Sequence, residues 1–595
     1  MWESFGTLRT YLWRYRWGMT LGGLCLVLKD LTQAAQPLMI RGAVDAFQTV
    51  NAGAAFMQFA AYLVGLAALK GVFQYWMRVI IIGISRDIEY DLRNDLFRHL
   101  ISLSPDYYGR TRTGDIMARA TNDLNAVRMM LGPGVMYWFE TSLTFALAIA
   151  IMVRVDWRLA FFAVLPAPAV SFAVIFFGRR IHDRFEKLQA MFSDISSRVQ
   201  ENLSGVRMIR AFVQEKAELR RFEELNRRYI AQNIKLVRIQ GLFQPLLEAL
   251  IGMTFLVVLW VGGHQVLLHR ISVGSFVMFN TYMGMLVWPM IALGWVVNLM
   301  QRGRASLDRI NQILHERPAI YAPVPSLPVG ALPGEIEFRG VKVHYGSGGA
   351  LAPALAPALA PALAPALDGV DLRIAAGTTV AVVGRTGSGK STLVGLVPRL
   401  MDPTAGAVLV DGIDLRLADP AELRRHIGFV PQETFLFSAT IAENIAFGVD
   451  AATPVQIRRA AEMAGLAGDI ETFPKGYETM VGERGITLSG GQKQRTAIAR
   501  AILRDPRILI LDDALSSVDT MTEERILTHL AGVMRGRTVI LISHRVSTVR
   551  QADRIVVLER GRIVEQGTHA ELVEAGGYYA ELSRKQMLEE ELEAI

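Results

Sequence analysis

The chain has 595 residues, of which 51% are hydrophobic and only 20% are charged, and its mean hydropathy is +0.28. This balance excludes an ordinary soluble globular protein and favours a membrane region joined to one or two soluble domains. Lysine and arginine exceed aspartate and glutamate by 63 − 56 = +7. Because the basic residues flank apolar runs, we expect contact with membrane lipids and not with nucleic acid. A single cysteine, Cys25, excludes an intrachain disulfide.

Residues 1–17 are predicted to form an interfacial elbow helix. Apolar side chains recur there at helical spacing among arginines, which is typical of a helix lying in the headgroup region. The apolar positions are Trp2, Phe5, Leu8, Leu12 and Tyr15. A buried helix of a soluble domain is the alternative, and the apolar span that follows favours the membrane surface.

Residues 18–315 are predicted to form an all-α transmembrane domain of six helices, because six segments reach the roughly 20 residues needed to cross a bilayer. They cover residues 18–44, 56–84, 129–153, 159–178, 244–268 and 273–300. The acidic residues within them, Asp30, Glu140 and Glu248, either line a pathway for cationic compounds or pair with basic residues of the same spans. Those basic residues are Lys29, Lys70 and Arg78.

The loops between the spans predict the orientation. Residues 45–55 contain no lysine or arginine, whereas the long segments after the second and fourth spans are strongly basic. The positive-inside bias therefore places both termini and the soluble domain in the cytoplasm, beneath the cytoplasmic (inner) membrane. The basic segments are expected to be helical extensions of the spans, with turns near residues 113–118 and 204–212 suited to contact a soluble domain.

A proline-rich linker is predicted at residues 316–334, followed by a soluble domain at 335–585 and an acidic tail at 586–595. Within the soluble domain, residues 350–367 repeat Ala-Leu-Ala-Pro. Proline at every fourth residue forbids a helix or a central strand, so this insert is expected to be a surface loop. A docking rod for a partner is possible there, but an inert expansion is favoured.

A phosphate-binding loop is predicted where an apolar strand, Val380–Val383, leads into a helix. Its residues are Gly384, Arg385, Thr386, Gly387, Ser388, Gly389, Lys390, Ser391 and Thr392. Glycines let backbone N–H groups surround a triphosphate, while Lys390 reaches the β and γ phosphates and Ser391 ligates Mg²⁺. An ordinary glycine turn capped by Ser391 is the alternative, which the strand-to-helix context disfavours.

Four further motifs follow along the chain. They are Gln432 after Phe429-Val430-Pro431, then Leu488-Ser489-Gly490-Gly491-Gln492, then Asp512-Asp513 after an apolar strand, then His544 after Ser543. Each alone is compatible with a loop amide, a helix cap, a strand-end cap or a surface histidine. In this order and at these spacings they resemble the α/β nucleotide-binding domain of ATP-binding cassette (ABC) proteins. With six spans before it, the chain resembles a half-transporter of the ABC exporter family.

The resemblance implies ATP and Mg²⁺ as ligands and a role for each motif. Tyr345 would stack on adenine, although a core aromatic is the alternative, and Ser391, Gln432 and Asp512 would hold Mg²⁺. Asp513, His544 and Gln432 would be the catalytic residues. The signature Leu488, Ser489, Gly490, Gly491 and Gln492 would act in trans on ATP held by a partner half-transporter, with a D-loop at Ser516, Ser517, Val518 and Asp519.

One position departs from the family pattern, because hydrolytic members carry glutamate where this chain has Asp513. Losing a methylene retracts the carboxylate by roughly 1 Å, which can cost about a hundredfold in rate. In the family this substitution is typical of heterodimers with one degenerate ATP site.

The sequence therefore predicts one half of a heterodimer that exports hydrophobic or amphipathic compounds (drugs, lipids or peptides) by alternating access. A homodimeric lipid flippase or drug exporter, and an ATP-gated channel or regulatory subunit, are the alternatives. A soluble ABC ATPase acting on nucleic acid is disfavoured by the spans.

Overall fold

The computed structural model describes residues 6–47, 52–328, 330, 332–345, 365–482, 488–516 and 520–593. Contacts divide the chain into two compact units. The helical unit comprises Met1–Ile101 and Thr111–Glu316, and the α/β unit comprises Ser102–Arg110 and Arg317–Ile595.

Helices make up almost all of the first 316 residues. Their bounds are α1 (Gly6–Arg14), α2 (Arg16–Ala46), α3 (Ala52–Ser102), α4 (Pro105–Arg110), α5 (Thr113–Ala118), α6 (Leu124–Met129), α7 (Val135–Val155), α8 (Trp157–Val164), α9 (Ala167–Ser204), α10 (Val206–Ala211), α11 (Glu215–Leu267) and α12 (Val273–Leu314). Two π-helical turns, Arg119–Asp123 and Met130–Gly134, connect α5, α6 and α7. The short helix α4 belongs to the α/β unit.

Among the described residues, five stretches of helix are long and apolar enough to cross a membrane, and they coincide with five of the six predicted spans. They are Phe56–Ser102, Thr113–Val155, Trp157–Ser204, Glu215–Leu267 and Val273–Leu314. All of them are longer than a bilayer requires, as expected for spans with helical extensions. The first predicted span lies in α2, whose 31 residues suffice in length. Lys29 and Asp30 lower its hydropathy, so its place in the membrane stays a prediction.

Side chains of the long helices divide between a packed interior and an exposed apolar surface. Met152, Leu159 and Phe279 are completely buried where α7, α8, α11 and α12 meet. In contrast, Leu256, Leu259 and Trp260 of α11 are mostly exposed. Contiguous apolar exposure of this kind is suited to lipid and not to water.

The elbow helix α1 has two different faces. Leu8 and Tyr11 are buried, and the Tyr11 hydroxyl donates to Asp95 Oδ2 of α3 at 2.6 Å. Trp13 of this helix and Trp17 near the start of α2 are exposed. Helix α1 therefore packs on the helical unit through one face and leaves Trp13 exposed, and tryptophan favours the headgroup region.

The charged residues in the predicted spans are largely paired with one another. Lys29 Nζ donates to Asp30 Oδ1 at 2.9 Å and forms an ion pair with Glu140 of α7. Thr144 Oγ1 donates to the same Asp30 oxygen at 3.3 Å. Glu248 differs, because it is exposed on α11 and accepts from Gln244 Nε2 at 3.2 Å. Pairing, and not a row of charges lining a pathway, therefore accounts for Asp30 and Glu140.

A tight contact joins the end of α2 to the start of α12. The Asp45 carboxylate accepts from Ser272 Oγ and from Gly274 N, both at 2.8 Å. A Cβ at Gly274 would lie 2.3 Å from Arg41 O and 2.5 Å from Asp45 Oδ1. Only glycine fits this contact without a backbone shift.

Replacing Gly274 with alanine should lower the free energy of unfolding by about 1–3 kcal/mol, because the added methyl group overpacks the junction of α2 and α12. Gly284 is a matched control on the same helix, since a Cβ there would meet nothing within 4 Å. Gly284→Ala should be neutral or stabilising by up to about 1 kcal/mol. Thermal unfolding of detergent-purified protein measures both variants, and equal melting temperatures would contradict the steric argument.

The described residues of the α/β unit form two sheets. The strands are β1 (Ile336–Val343), β2 (Leu367–Ile374), β3 (Thr379–Val383), β4 (Ala405–Val410), β5 (Ile413–Asp414), β6 (Ile427–Val430), β7 (Ile508–Asp512), β8 (Thr538–Ile542), β9 (Arg554–Glu559) and β10 (Arg562–Gly567). One sheet has the order β2-β1-β4-β5 and is antiparallel. The other has the order β10-β9-β3-β8-β7-β6 and is parallel except for β10.

Helices cover the parallel sheet. They are α13 (Lys390–Leu396), α14 (Pro420–Arg425), α15 (Ile441–Ala446), α16 (Pro454–Met463), α17 (Ala467–Thr472), α18 (Gly490–Leu503), α19 (Thr520–Met534), α20 (Val546–Val549), α21 (His569–Ala575) and α22 (Tyr578–Glu593). Strands β7 and β8 are buried along their whole length, as expected for apolar runs in the middle of a parallel sheet. Successive residues of β7 pack into two different hydrophobic cores. Ile510 lies in the core shared with the antiparallel sheet, and Leu509 lies in the core shared with α18.

At three of the predicted boundaries of the soluble domain, the described residues continue the packing or the helix across the boundary. The linker at 316–334 packs on the domain, because Leu332 is buried in its core and Asp411 accepts from Gly334 N at 3.0 Å. The insert ends before residue 367, since Leu367 is completely buried as the first residue of β2. Residues 350–364 of the insert lie outside the described residues. The acidic tail is not separate, because α22 continues through residue 586 to Glu593.

The two turns predicted to contact the soluble domain are helical. Helices α5 and α10 lie within residues 113–118 and 204–212. Their contact with a soluble domain stays a prediction.

Candidate nucleotide-binding site

The phosphate-binding loop joins the carboxyl end of β3 to α13. Gly384 and Gly389 have φ values of 155° and 102°, in the region that favours glycine. A Cβ at Gly384 would lie 2.2 Å from Leu558 O, and one at Gly389 would lie 2.3 Å from Ala366 O. Side chains are therefore excluded at both ends of the loop, which keeps its backbone N–H groups accessible to phosphate oxygens.

Lys390 is buried beneath this loop. Its Nζ donates to Gly384 O at 2.8 Å and to Arg385 O at 3.0 Å. Burial lowers the pKa of Lys390, and the nearby charges of Asp513 and Asp512 oppose that shift. An ammonium group held by neutral carbonyls gains much more from anionic phosphate oxygens, because charge-assisted hydrogen bonds are stronger.

Asp512 ends β7 beside the loop and is only 4% exposed. Burial raises its pKa, the hydrogen bond with the Ser391 side chain lowers it, and the charge of Asp513 raises it further. A hydroxyl next to a carboxylate is the oxygen-rich ligand set that Mg²⁺ prefers. Among the described residues, Ser388 Oγ is buried without a hydrogen-bond partner, as expected where a phosphate oxygen would bind. The residues present fit a Mg²⁺–triphosphate.

A cavity of about 540 Å³ lies over the loop and brings most of the predicted site residues together. They are Tyr345, Thr386, Gly387, Gly389, Lys390, Ser391, Thr392, Gln432, Asp512, Asp513 and His544. Gln432 follows β6 and His544 follows β8, and both are exposed towards solvent. The carboxyl ends of neighbouring parallel strands meet at one edge of a sheet, which is why these distant motifs converge.

Tyr345 occupies the outer edge of the cavity. Its ring is 53% exposed, which argues against the alternative that it is a core aromatic. Its hydroxyl and Thr392 Oγ1 are 2.9 Å apart. The ring is thus tethered to α13 while its face remains available for a base.

Asp513 directly follows β7 with φ 50°, in the left-handed region. Its N–H donates to Ile542 O of β8 at 3.0 Å, which fixes the backbone. Aspartate adopts this conformation more readily than most residues that carry a side chain. The short carboxylate thus extends from a rigid point at the cavity wall.

The signature residues are not in the cavity lining. Ser489 caps α18, accepting from Gln492 N at 3.3 Å, while Ser489 N donates to Gln492 Oε1 at 3.0 Å. Leu488 is buried and anchors the turn, whereas Ser489 and Gly490 are exposed. This helix N-terminus is therefore available to an anion from outside the chain.

The predicted D-loop is described only at its first residue. Ser516 Oγ accepts from Gln494 Nε2 of α18 at 2.9 Å. Ser517, Val518 and Asp519 lie outside the described residues.

Comparison with known families matches residues 19–290 to the ABC transporter transmembrane region and residues 367–516 to the ABC transporter family. A probable multidrug resistance ABC transporter ATP-binding/permease protein of Bacillus subtilis, YheI, is 36% identical over 98% of this chain and 96% of its own length. The chain belongs to the ABC transporter family.

Two further comparisons agree. An ATP-dependent lipid A-core flippase of Syntrophus aciditrophicus is 35% identical over 88% of this chain and 84% of its own length. A solved structure of a bacterial Atm1-family ABC exporter with ATP bound superimposes with a TM-score of 0.78 at 28% identity, covering 96% of this chain and 99% of the other. The predicted family is confirmed. The transporter is an ABC exporter that fuses a multi-pass transmembrane region and an ATPase domain in one polypeptide.

The transporter's cavity also contains residues that the sequence motifs did not indicate. They are Pro365, Ala366, Ile542 and Arg560. Arg560 and Gly561 form the turn between β9 and β10 with φ values of 48° and 79°. Gly561 N donates to Ser388 O at 3.0 Å, so this turn supports the phosphate-binding loop. A two-residue turn with positive φ between two strands is a recognisable hairpin signal, but its contact with the loop depends on the fold.

Asp512→Asn should raise the melting temperature of the nucleotide-free transporter. Burial raises the pKa of Asp512 in the folded state. Ionising this carboxylate therefore costs more in the folded state than in the unfolded state, so stability falls as the pH rises through the raised value and the ionised group carries a penalty at pH 7. The asparagine removes this penalty together with the carboxylate expected to bind Mg²⁺. ATP and Mg²⁺ at 100 times the wild-type Kd, which stabilise by about 2.7 kcal/mol, should therefore stabilise the variant much less. Thermal unfolding at pH 5 and pH 8, with and without MgATP, measures both effects, and a variant that MgATP stabilises like the wild type would contradict the assignment.

Proposed function

We propose that the transporter is one half of a heterodimer that exports hydrophobic or amphipathic compounds, such as drugs, lipids or peptides, driven by ATP. Its own phosphate-binding loop holds ATP with slow hydrolysis, and its signature completes the faster site on the partner half-transporter. Transport proceeds by alternating access. Both termini and the ATPase domain lie on the cytoplasmic side of the membrane, as the basic segments between spans favour.

Asp513 is the observation that carries this proposal. A general base must come within hydrogen-bond reach of the water that it activates. The Asp513 backbone is fixed by its bond to Ile542 O, so the side chain cannot recover the missing methylene by a shift of the strand end. The pKa values of aspartate and glutamate are similar, so reach, not basicity, limits the rate.

The other residues around the cavity would bind and orient ATP without fast turnover. Lys390 and the loop N–H groups would hold the phosphates, and Ser391, Asp512 and Gln432 would hold Mg²⁺. Mg²⁺ would supply charge neutralisation between the phosphates. His544 would contact the γ-phosphate, and Tyr345 would stack on the adenine.

The helical unit and the names of the relatives support the proposed substrate class. Asp30 and Glu140 are engaged by Lys29, so they do not offer isolated carboxylates to a cation. The relatives are named as a multidrug resistance transporter and a lipid A-core flippase. Apolar or amphipathic compounds that enter from the bilayer fit both facts.

The test is the ATPase rate of the assembly purified from membranes. Asp513→Asn should change the rate less than about twofold, because the partner's site carries turnover. Asp505 supplies a matched control, since it also has a positive φ (52°), its side chain is mostly exposed and it does not line the nucleotide cavity. A fall of tenfold or more with Asp513→Asn but not with Asp505→Asn would instead make Asp513 the working base. It would support the homodimeric alternative, as would purification of an active transporter containing this chain alone.

A further inference from the structure

The side chain of Gln586 forms two hydrogen bonds with the backbone of the loop that carries His544. Its Nε2 donates to His544 O at 2.7 Å, and its Oε1 accepts from Val546 N at 2.7 Å. Val546 N is one of the first N–H groups of α20, which have no partner inside the helix. One amide thus satisfies a carbonyl and an N–H on either side of Arg545, as a neighbouring strand would.

The helix that presents Gln586 is firmly anchored to the ATPase domain. Tyr579 is completely buried, and its hydroxyl lies 2.8 Å from His569 Nδ1. Tyr578 N donates to the Glu565 carboxylate at 2.6 Å, which fixes the start of α22. Gln586 follows about two turns later, so its position is determined by the domain core and not by a mobile tail.

The opposite side of the same loop is held by α19. Glu523 is only 2% exposed and pairs with Arg545 and with the Thr548 hydroxyl. A buried carboxylate with both partners satisfied resists displacement, because losing one leaves an uncompensated charge. The His544 loop is therefore held between α19 and α22, and Gln586 provides the contacts from α22 to the loop.

We propose that Gln586 is a positioning residue for His544. Through this contact, helix α22 contributes to recognition of the γ-phosphate. The inference rests on the proposed contact between His544 and the γ-phosphate. Without the amide, Val546 N and His544 O form hydrogen bonds with water instead, and the loop moves away from the cavity. Binding of ATP weakens, whereas binding of ADP, which has no γ-phosphate, is unchanged.

The test compares ATP and ADP binding to this chain in its full-length native assembly, purified through an amino-terminal tag. Competition against a photoreactive azido-ATP, with labelling of this chain measured on a gel, gives the ratio of the two affinities. Gln586→Glu keeps the acceptor for Val546 N but removes the donor to His544 O, and Gln586→Ala removes both. Leu588→Ala is the control, because Leu588 is 60% exposed on the same helix.

Both Gln586 variants should reduce the preference for ATP over ADP by about fivefold, the order expected for one lost hydrogen bond. ADP affinity should stay within about twofold, and Leu588→Ala should match the wild type. If His544→Ala reduces the preference while the Gln586 variants leave it unchanged, or weaken both nucleotides equally, the positioning role is wrong. If His544→Ala itself leaves the preference unchanged, the contact of His544 with the γ-phosphate is wrong and the inference falls with it. Should Gln586→Ala not fold, Gln586→Glu alone decides between these outcomes.

Discussion

Replacing Ser489 with aspartate should lower the ATPase rate of the assembled transporter by about a hundredfold or more. Aspartate caps a helix as well as serine does, so α18 should keep its start and its capping box with Gln492. The new carboxylate, however, stands at the exposed N-terminus where the partner's ATP would dock. Two like charges about 4 Å apart repel by roughly 4 kcal/mol at the effective dielectric constant of a protein surface. That penalty would more than account for a hundredfold loss.

Ser489→Asn is the matched control, because asparagine caps equally well without a charge. Its ATPase rate should remain within about tenfold of the wild type. Photolabelling should show that this chain's own phosphate-binding loop still binds ATP in Ser489→Asp, since the signature is not in the cavity lining. Equal loss in the aspartate and asparagine variants would point to a damaged helix start. An unchanged rate in Ser489→Asp would mean that this signature serves no active site.

Replacing Lys29 with methionine should lower the free energy of unfolding by about 3–5 kcal/mol. Lys29 is 2% exposed and is the shared partner of Asp30 and Glu140, which come from α2 and α7. Methionine fills a similar volume but removes the cation that contacts both carboxylates, so their remaining attraction is to the charge of Lys70 nearby. One oxygen, Asp30 Oδ2, already lacks a hydrogen-bond partner among the described residues, so the loss of Lys29 adds to an existing deficit.

Thermal unfolding of the purified transporter measures this effect, with Glu248→Gln as the control because Glu248 is exposed and outside the cluster. Adding Asp30→Asn and Glu140→Gln to Lys29→Met should recover most of the lost stability, since the triple variant contains no carboxylate that has lost its cation. If Lys29→Met melts like Glu248→Gln, the cluster contributes nothing to the stability of the helical unit.

These expectations give the ATPase domain two separate tasks. Its phosphate-binding loop would keep ATP bound as a clamp, while its signature would support turnover on the partner. The His544 loop, clamped by Glu523 and Gln586, belongs to the first task. Variants of the two sets should therefore differ, with signature variants affecting turnover and loop variants affecting nucleotide retention.

The sequence by itself determined the local chemistry of the nucleotide site. Glycines at 384 and 389, the apolar strand before them and the apolar strand ending at Asp512 each follow from local backbone and burial preferences. The family resemblance then supplied the relation between these motifs, and the structure places eleven of the predicted residues around one cavity. Five of six spans were also predictable, because a bilayer imposes length and apolarity on a segment without regard to its neighbours.

Other features depended on contacts between residues far apart in the chain, which no local pattern encodes. The sequence left open whether Asp30 and Glu140 line a pathway, and only the packing of α2 against α7 shows that Lys29 binds both. It classed residue 586 as part of an acidic tail, whereas the fold brings Gln586 to the His544 loop 42 residues earlier. Composition determines which solvent a segment prefers and which ligand a motif can bind. Only tertiary structure decides which polar groups satisfy one another, because each such bond must offset the loss of water at both partners.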